Sequence, residues 1–261
     1  MNESALTTKQ YRVLVVDDDA LSRDIVALLL GSEGHETLQA ESGEDALRLL
    51  ASLDEDAVPE ILLVDMQMPG ESGTVLARHL RQVAKGARLL AMSATAPSEA
   101  EREGFDGFLG KPLDLDEFQA MASQQPASQA ARAPQPTRPP VSTSSLDERI
   151  YGNLNSSMPP ASVAEIYSAC LSDARRRIDL MREQARSVKM TELRSTAHAI
   201  KGGAGMVGAV RIANLAAHLE HGVYREDDIP GVLGEMLDAC DELERILLTR
   251  KETQENMRQS Q

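Results

Sequence analysis

Val13-Leu14-Val15-Val16-Asp17-Asp18-Asp19 is an aliphatic run closed by three carboxylates, and its reading decides the fold of the first half. Four consecutive aliphatic side chains, three of them Val, suit a strand buried on both faces. An amphipathic stretch at residues 21–30 comes next, and the same alternation repeats down the chain. Short apolar segments at 12–16, 36–40, 61–64, 89–92 and 107–109 alternate with helix-patterned segments at 21–30, 44–53, 73–83, 98–103 and 115–121. Strand and helix alternation predicts an α/β doubly wound parallel five-stranded sheet with helices on both faces.

The pattern then breaks. Residues 123–144 replace apolar periodicity with Gln, Ala, Ser, Thr and five prolines (Pro126, Pro134, Pro136, Pro139, Pro140), a composition that cannot build a core and reads as a flexible linker. Beyond it, apolar positions recur at helical spacing in 163–186, 191–202, 210–219 and 229–248, so the second domain is expected to be an all-α four-helix bundle. The predicted boundaries are 1–122, linker 123–144, and 145–261.

The net charge of −14 would repel a phosphate backbone, which argues against nucleic acid as a partner. The N-terminal residues form no signal-like pattern and no stretch is apolar for long enough to span a bilayer, so no membrane association is expected and a cytoplasmic location is. Cys170 and Cys240 lack metal-ligand spacing and read as buried thiols without a role.

In a doubly wound sheet, ligands bind outside the carboxyl ends of the strands. Asp17 and Asp18, Asp65, Ser93 and Lys111 each follow one of the apolar runs, so separate strand ends bring them to one cleft. Singly, each has a plain explanation as a helix cap, a turn residue or a surface group. Together they form a site. Clustered carboxylates repel unless a divalent cation neutralises them, and hard oxygen ligands with vacant positions for water suit Mg²⁺. Asp65 can then attack phosphorus as a nucleophile, with Lys111 and the Ser93 hydroxyl meeting the equatorial oxygens.

These residues carry a family likeness. Residues from about 11 to 121 resemble the receiver domain of two-component response regulators through Val13 to Asp19, Leu63-Val64-Asp65-Met66-Gln67-Met68-Pro69-Gly70, Ser93-Ala94 and Lys111-Pro112. The resemblance implies a flavodoxin-like fold in which Asp65 is phosphorylated. It further implies Mg²⁺ held by Asp17, Asp18, Asp65 and the backbone carbonyl of Gln67, with Ser93 as the switch hydroxyl, Lys111 as the phosphate-sensing cation and Phe108 as the reporting aromatic.

In the second half His198 is the reactive candidate. Lys201 and Gly202 lie three and four residues on, hence on the same helical face, so a cation and bare backbone flank the imidazole. Gly202, Gly203 and Gly205 each cost about 1 kcal/mol relative to Ala inside a helix, which predicts that something approaches closely there. The sequence Ala197-His198-Ala-Ile-Lys201-Gly202-Gly203-Ala-Gly205, with Leu215 to Glu220, resembles the histidine phosphotransfer (HPt) domain, which implies that His198 is phosphorylated. His35, His79, His218 and His221 lack this setting and read as packing or surface residues.

No Gly-x-x-x-x-Gly-Lys-Ser/Thr loop is present, so the phosphoryl group is expected from another protein, an upstream sensor histidine kinase. The expectation is an intermediate of a multistep His–Asp phosphorelay. Asp65 accepts phosphate and His198 exchanges it with a receiver domain, its own or that of a downstream response regulator. One alternative is a phosphorylation-controlled adaptor or phosphate sink without Asp65 to His198 transfer. Another, an enzyme acting on a small phosphorylated metabolite, leaves the His198 motif without a task.

Overall fold

The computed structural model describes residues 9–68, 73–94, 98–123, 145–222 and 225–259. The chain divides into two compact units, Met1–Thr137 and Arg138–Gln261. The predicted linker begins at Ser123, which closes the last helix of the first unit; residues 124–144 lie outside the described residues.

In the first unit the strands are β1 (Arg12–Val16), β2 (Glu36–Ala40), β3 (Ile61–Asp65), β4 (Arg88–Ser93) and β5 (Gly107–Gly110). They form one sheet in the order β2-β1-β3-β4-β5, every pairing parallel. The helices are α1 (Ala20–Ser32), α2 (Gly43–Ser52), α3 (Gly73–Val83), α4 (Glu99–Arg102) and α5 (Leu115–Ser123). Successive side chains of a strand point to opposite faces. Leu14, Val16, Leu62, Val64 and Leu89 accordingly pack on one face against Ala46 and Leu50 of α2 and Leu76, Ala77 and Leu80 of α3. The alternate set, Val13, Val15, Ile61 and Leu63, is equally buried, so both faces are covered. Burial on both faces is why the strands read as continuous aliphatic runs rather than as alternating ones.

The three carboxylates after β1 divide their work. Asp19 is the N-cap of α1, its side chain accepting from the Ser22 N–H at 2.9 Å, which satisfies one of the orphan donors of the first turn. Asp17 and Asp18 are left for the cleft.

The second unit consists of α6 (Glu148–Ser157), α7 (Pro160–Arg186), α8 (Met190–Met206), α9 (Val210–Glu220) and α10 (Ile229–Gln259). The last four are the expected bundle. The additional helix α6 was not expected from the sequence. Of its residues only Leu154 is buried, and Gly152, Asn153, Asn155, Ser156 and Ser157 weaken both periodicity and propensity. What starts α6 is local: the Asp147 carboxylate accepts from the Arg149 and Ile150 N–H groups at 2.9 and 3.3 Å. The bundle core is built from Ile166, Tyr167, Ile178 and Met181 of α7, Ala197 and Ile200 of α8, Ile212 and Ala216 of α9, and Met236 and Leu243 of α10, all buried. The Tyr167 hydroxyl, buried among them, donates to the Val207 carbonyl at 2.7 Å, so its polar tip is satisfied. Cys170 and Cys240 are free and buried, and burial pushes the Cys240 thiol up to about 11.

Candidate functional site

In the first unit the parallel sheet ends all its strands on one edge, and this edge carries the predicted residues. Asp17 follows β1, Asp65 ends β3, Ser93 ends β4 and Lys111 follows β5. Asp17, Asp65 and Ser93 are buried. The Lys111 ammonium lies 2.8 Å from Asp17 Oδ2 and 2.9 Å from Asp65 Oδ2, bridging the two carboxylates. Asp17 Oδ1 accepts from the Asp19 N–H at 2.9 Å, and Asp65 Oδ1 accepts from the Gln67 N–H at 3.1 Å. The bond from Lys111 N–H to the Ser93 carbonyl, 2.8 Å, ties the end of β5 to that of β4.

Electrostatics in this cleft set the carboxylates against one another. Burial, and then the neighbouring Asp65 charge, push the Asp17 carboxyl up to about 6 against the pull of Lys111. Burial followed by Asp65 raises Asp18 as well. Lys111 shows the converse: burial would lower its pKa, but Asp65 and Asp17 outweigh it and the ammonium is held above its usual range. One carboxylate oxygen from each of Asp17, Asp18 and Asp65 lies within 4.8 Å of the others. A cluster of three hard oxygen donors, two of them disfavoured as bare anions, fits a divalent cation that retains several waters. Gln67 is exposed, two residues after Asp65. Phe108 is partly buried with the Arg102 guanidinium 5.8 Å from its ring centre. Pro69 and Gly70 of the receiver-like motif lie outside the described residues.

The second site lies on α8. The His198 side chain is 33% exposed, and its Nδ1 is 2.6 Å from Glu220 Oε1 at the end of α9. The other oxygen of that carboxylate, Oε2, is 2.6 Å from the Lys201 ammonium. Burial alone would raise the Glu220 carboxyl, but Lys201 and His198 together outweigh it and hold it below its ordinary value. A carboxylate can only accept, so Nδ1 carries a hydrogen, and in the neutral ring the lone pair is on Nε2. Glu220 is the residue of this cluster that the sequence reading missed. It stands at the end of the HPt-like stretch without an assigned role, and the only available signal was a lone acid 22 residues from His198 in sequence. Lys201, the cation flanking the imidazole, has its ammonium engaged by Glu220.

The glycines also sort differently from expectation. Gly203 is buried, with Cys170 Sγ of α7 3.9 Å from its carbonyl oxygen, so at this position the close approach is by a neighbouring helix of the same bundle. Gly205 has nothing within 4 Å of where a side chain would begin, which keeps that part of the face open.

A response regulator receiver domain model matches residues 13–123, and an Hpt domain model matches residues 165–247. The chain belongs to the receiver family in its first unit and to the Hpt family in its second. Its receiver–Hpt portion is similar to Sensory/regulatory protein RpfC of Xanthomonas campestris, 28% identical over 81% of this chain but only 30% of RpfC. Sensor histidine kinase AruS of Pseudomonas aeruginosa is 25% identical over 83% of this chain and 21% of its own length. The chain thus spans less than a third of these relatives. The receiver alone is 31% identical to the response regulator TrrA of Thermotoga maritima, solved in complex with Mg²⁺ and BeF, over 42% of this chain and 93% of TrrA, with a TM-score of 0.37. No helix among the described residues is long and apolar enough to cross a membrane.

Proposed function

We propose that this receiver–Hpt chain is an intermediate of a His–Asp phosphorelay, in which Asp65 takes a phosphoryl group from the phosphohistidine of an upstream histidine kinase and His198 exchanges one with a receiver domain. The observation that carries the reading is the Glu220–His198 pair. It sets Nδ1 as donor and leaves Nε2 of a partly exposed ring as a nucleophile, a second acceptor on the same chain as the Asp65 cleft.

In the receiver, an Asp65 carboxylate oxygen forms the new O–P bond as the P–N bond of the donor breaks, and the electron pair returns to the donor imidazole. Lys111, already 2.9 Å from Asp65, is placed to follow the developing equatorial charge, and Ser93 ends the adjacent strand. Asp17, Asp18, Asp65 and the Gln67 carbonyl would hold Mg²⁺, which supplies charge neutralisation of the phosphoryl oxygens. In the Hpt unit the Nε2 lone pair attacks the acyl phosphate of a receiver, a carboxylate leaves, and the positive charge that gathers on the ring is met at Nδ1–H by Glu220.

A radiolabel time course with a phosphorylated kinase tests the reading in the intact chain and in Asp65→Ala and His198→Ala. Label should appear first as a base-labile acyl phosphate that Asp65→Ala abolishes, then as an acid-labile phosphohistidine that His198→Ala abolishes. Base-labile label alone, even with an added receiver, would favour the adaptor or sink.

A further inference from the structure

A cavity of about 230 Å³ is formed by the start of α8, the end of α9 and the start of α10. Its floor is apolar, made by Met190, Leu193, Leu219 and Ile229. Gly222 and two exposed arginines, Arg194 and Arg225, complete the lining. Arg194 is one turn before His198 and on the same face of α8.

Arg175, Arg176, Arg177, Arg182, Arg211 and Arg250 are each ion-paired to a carboxylate of the same unit. Neither Arg194 nor Arg225 has such a partner among the described residues. No acidic side chain is among the residues that line the cavity, so its two guanidinium groups are the charged groups it presents, although Glu226, Asp227 and Asp228 follow Arg225 in the chain. Gly222 accommodates one of the two guanidinium groups: its φ is +66°, and a side chain there would begin 2.7 Å from an Arg194 guanidinium nitrogen. Glycine at this turn lets the guanidinium approach the backbone closely.

We infer that the Arg194–Arg225 cavity is a docking subsite for an incoming receiver domain, taking a carboxylate on the two guanidinium groups and an adjacent apolar side chain on the floor. The inference rests on the relay reading above. Charge complementarity names the occupant. A receiver of the kind this chain carries is strongly acidic: residues 1–144 have 23 acidic and 12 basic side chains, whereas residues 145–261 have 18 and 15. A receiver presenting its phosphorylated cleft to His198 brings that acidic surface to the same face of α8, and opposite potentials steer the encounter and fix its orientation.

The test uses full-length chains in trans. A His198→Ala chain phosphorylated on Asp65 by acetyl phosphate and Mg²⁺ is the donor. An Asp65→Ala chain, with or without Arg194→Glu and Arg225→Glu, is the acceptor, and transfer is followed as acid-labile label against acceptor concentration. The charge reversals should raise the half-saturating concentration about tenfold or more, leave the saturating rate within about twofold, and remove most of its salt dependence. Arg194→Lys with Arg225→Lys, which keeps the charge, should restore most of the affinity and shows that loss of fold is not the cause. Unchanged half-saturation in the reversed variant overturns the docking subsite while leaving the relay standing. No transfer in the unsubstituted pair overturns both. Unchanged transfer combined with octanoate raising the melting temperature of the unsubstituted chain, but not of the reversed variant, would assign the cavity to a small amphipathic anion and overturn the docking assignment.

Discussion

Replacing Glu220 by Gln keeps the shape of the side chain and removes its charge, and the geometry sets the consequence for His198. The carboxylate serves two donors, His198 Nδ1 and the Lys201 ammonium, each at 2.6 Å. An amide has one acceptor. If the Gln oxygen stays on Nδ1, its NH₂ faces the Lys201 ammonium, donor against donor. If it turns to Lys201, the NH₂ donates to Nδ1, the ring hydrogen moves to Nε2, and the nucleophilic lone pair is lost from the exposed side. Either arrangement forfeits one charge-assisted contact of the carboxylate, worth about 1.5–3 kcal/mol. At about 1.4 kcal/mol per factor of ten, phosphoryl transfer to His198 should slow about 10- to 100-fold. The rate is measured by single-turnover transfer from a phosphorylated receiver, and nitrogen NMR of the imidazole reports the tautomer. A Glu220→Gln chain that transfers within twofold of wild type, with Nδ1 still fully protonated, would refute the argument.

Asp18→Ala should weaken Mg²⁺ binding to the receiver sharply, because the site has few protein carboxylates; calorimetry showing unchanged affinity after removal of both Asp17 and Asp18 would reduce them to structural residues. Asp65→Asn should abolish base-labile label with both folds intact, and stoichiometric label in this variant would contradict the assignment. Val188 follows α7 at φ +53° and is 68% exposed, so Val188→Gly relieves a left-handed β-branched residue at little loss of packing. The relief of about 1–2 kcal/mol less an entropic cost of about 0.5–1 kcal/mol should leave a gain of about 1 kcal/mol in urea unfolding, and a loss would be inconsistent with strain at that turn. His35 is buried, its Nδ1 accepting from the Tyr11 N–H at 3.1 Å, and burial lowers its pKa against a smaller opposing effect of Glu33. The unfolded state therefore binds the proton first. Its contribution is present in full above about pH 6.5 and is lost as pH falls through the lower folded value. Wild type minus His35→Gln stability, from urea midpoints, should decline from pH 7.5 to 5.5, and a flat difference would count against it.

The receiver was readable because its physics is local and repetitive. Val13 to Val16, Ile61 to Val64 and Leu89 to Met92 are aliphatic without interruption since both faces of each strand are covered, and parallel pairing brings their ends to one edge. Asp17, Asp65, Ser93 and Lys111 therefore announced the cleft by their position after those runs. The bundle was less legible where its logic is tertiary. Helix α6 rests on a cap at Asp147 and one buried side chain, Leu154, too little to produce a period. Glu220 reaches His198 only because α8 and α9 pack side by side, a pairing that leaves no periodic mark in the chain. Gly203 looked like a place cleared for a partner and is filled by α7; from sequence, an inward and an outward glycine are the same letter.

The strand order places Asp65 on β3, the middle strand, with hydrogen-bonded neighbours on both sides, and Lys111 just beyond β5, an outer strand with one. Moving the end of β3 would disturb two ladders, while moving the end of β5 disturbs one. The bridge from Lys111 to Asp65 therefore joins a strand held on both sides to one of the two held on a single side. Were phosphorylation of Asp65 to draw the ammonium toward new oxygens, the displacement would fall on the margin that carries Phe108. The nucleophile would then be the pivot, and the outer strand the pointer.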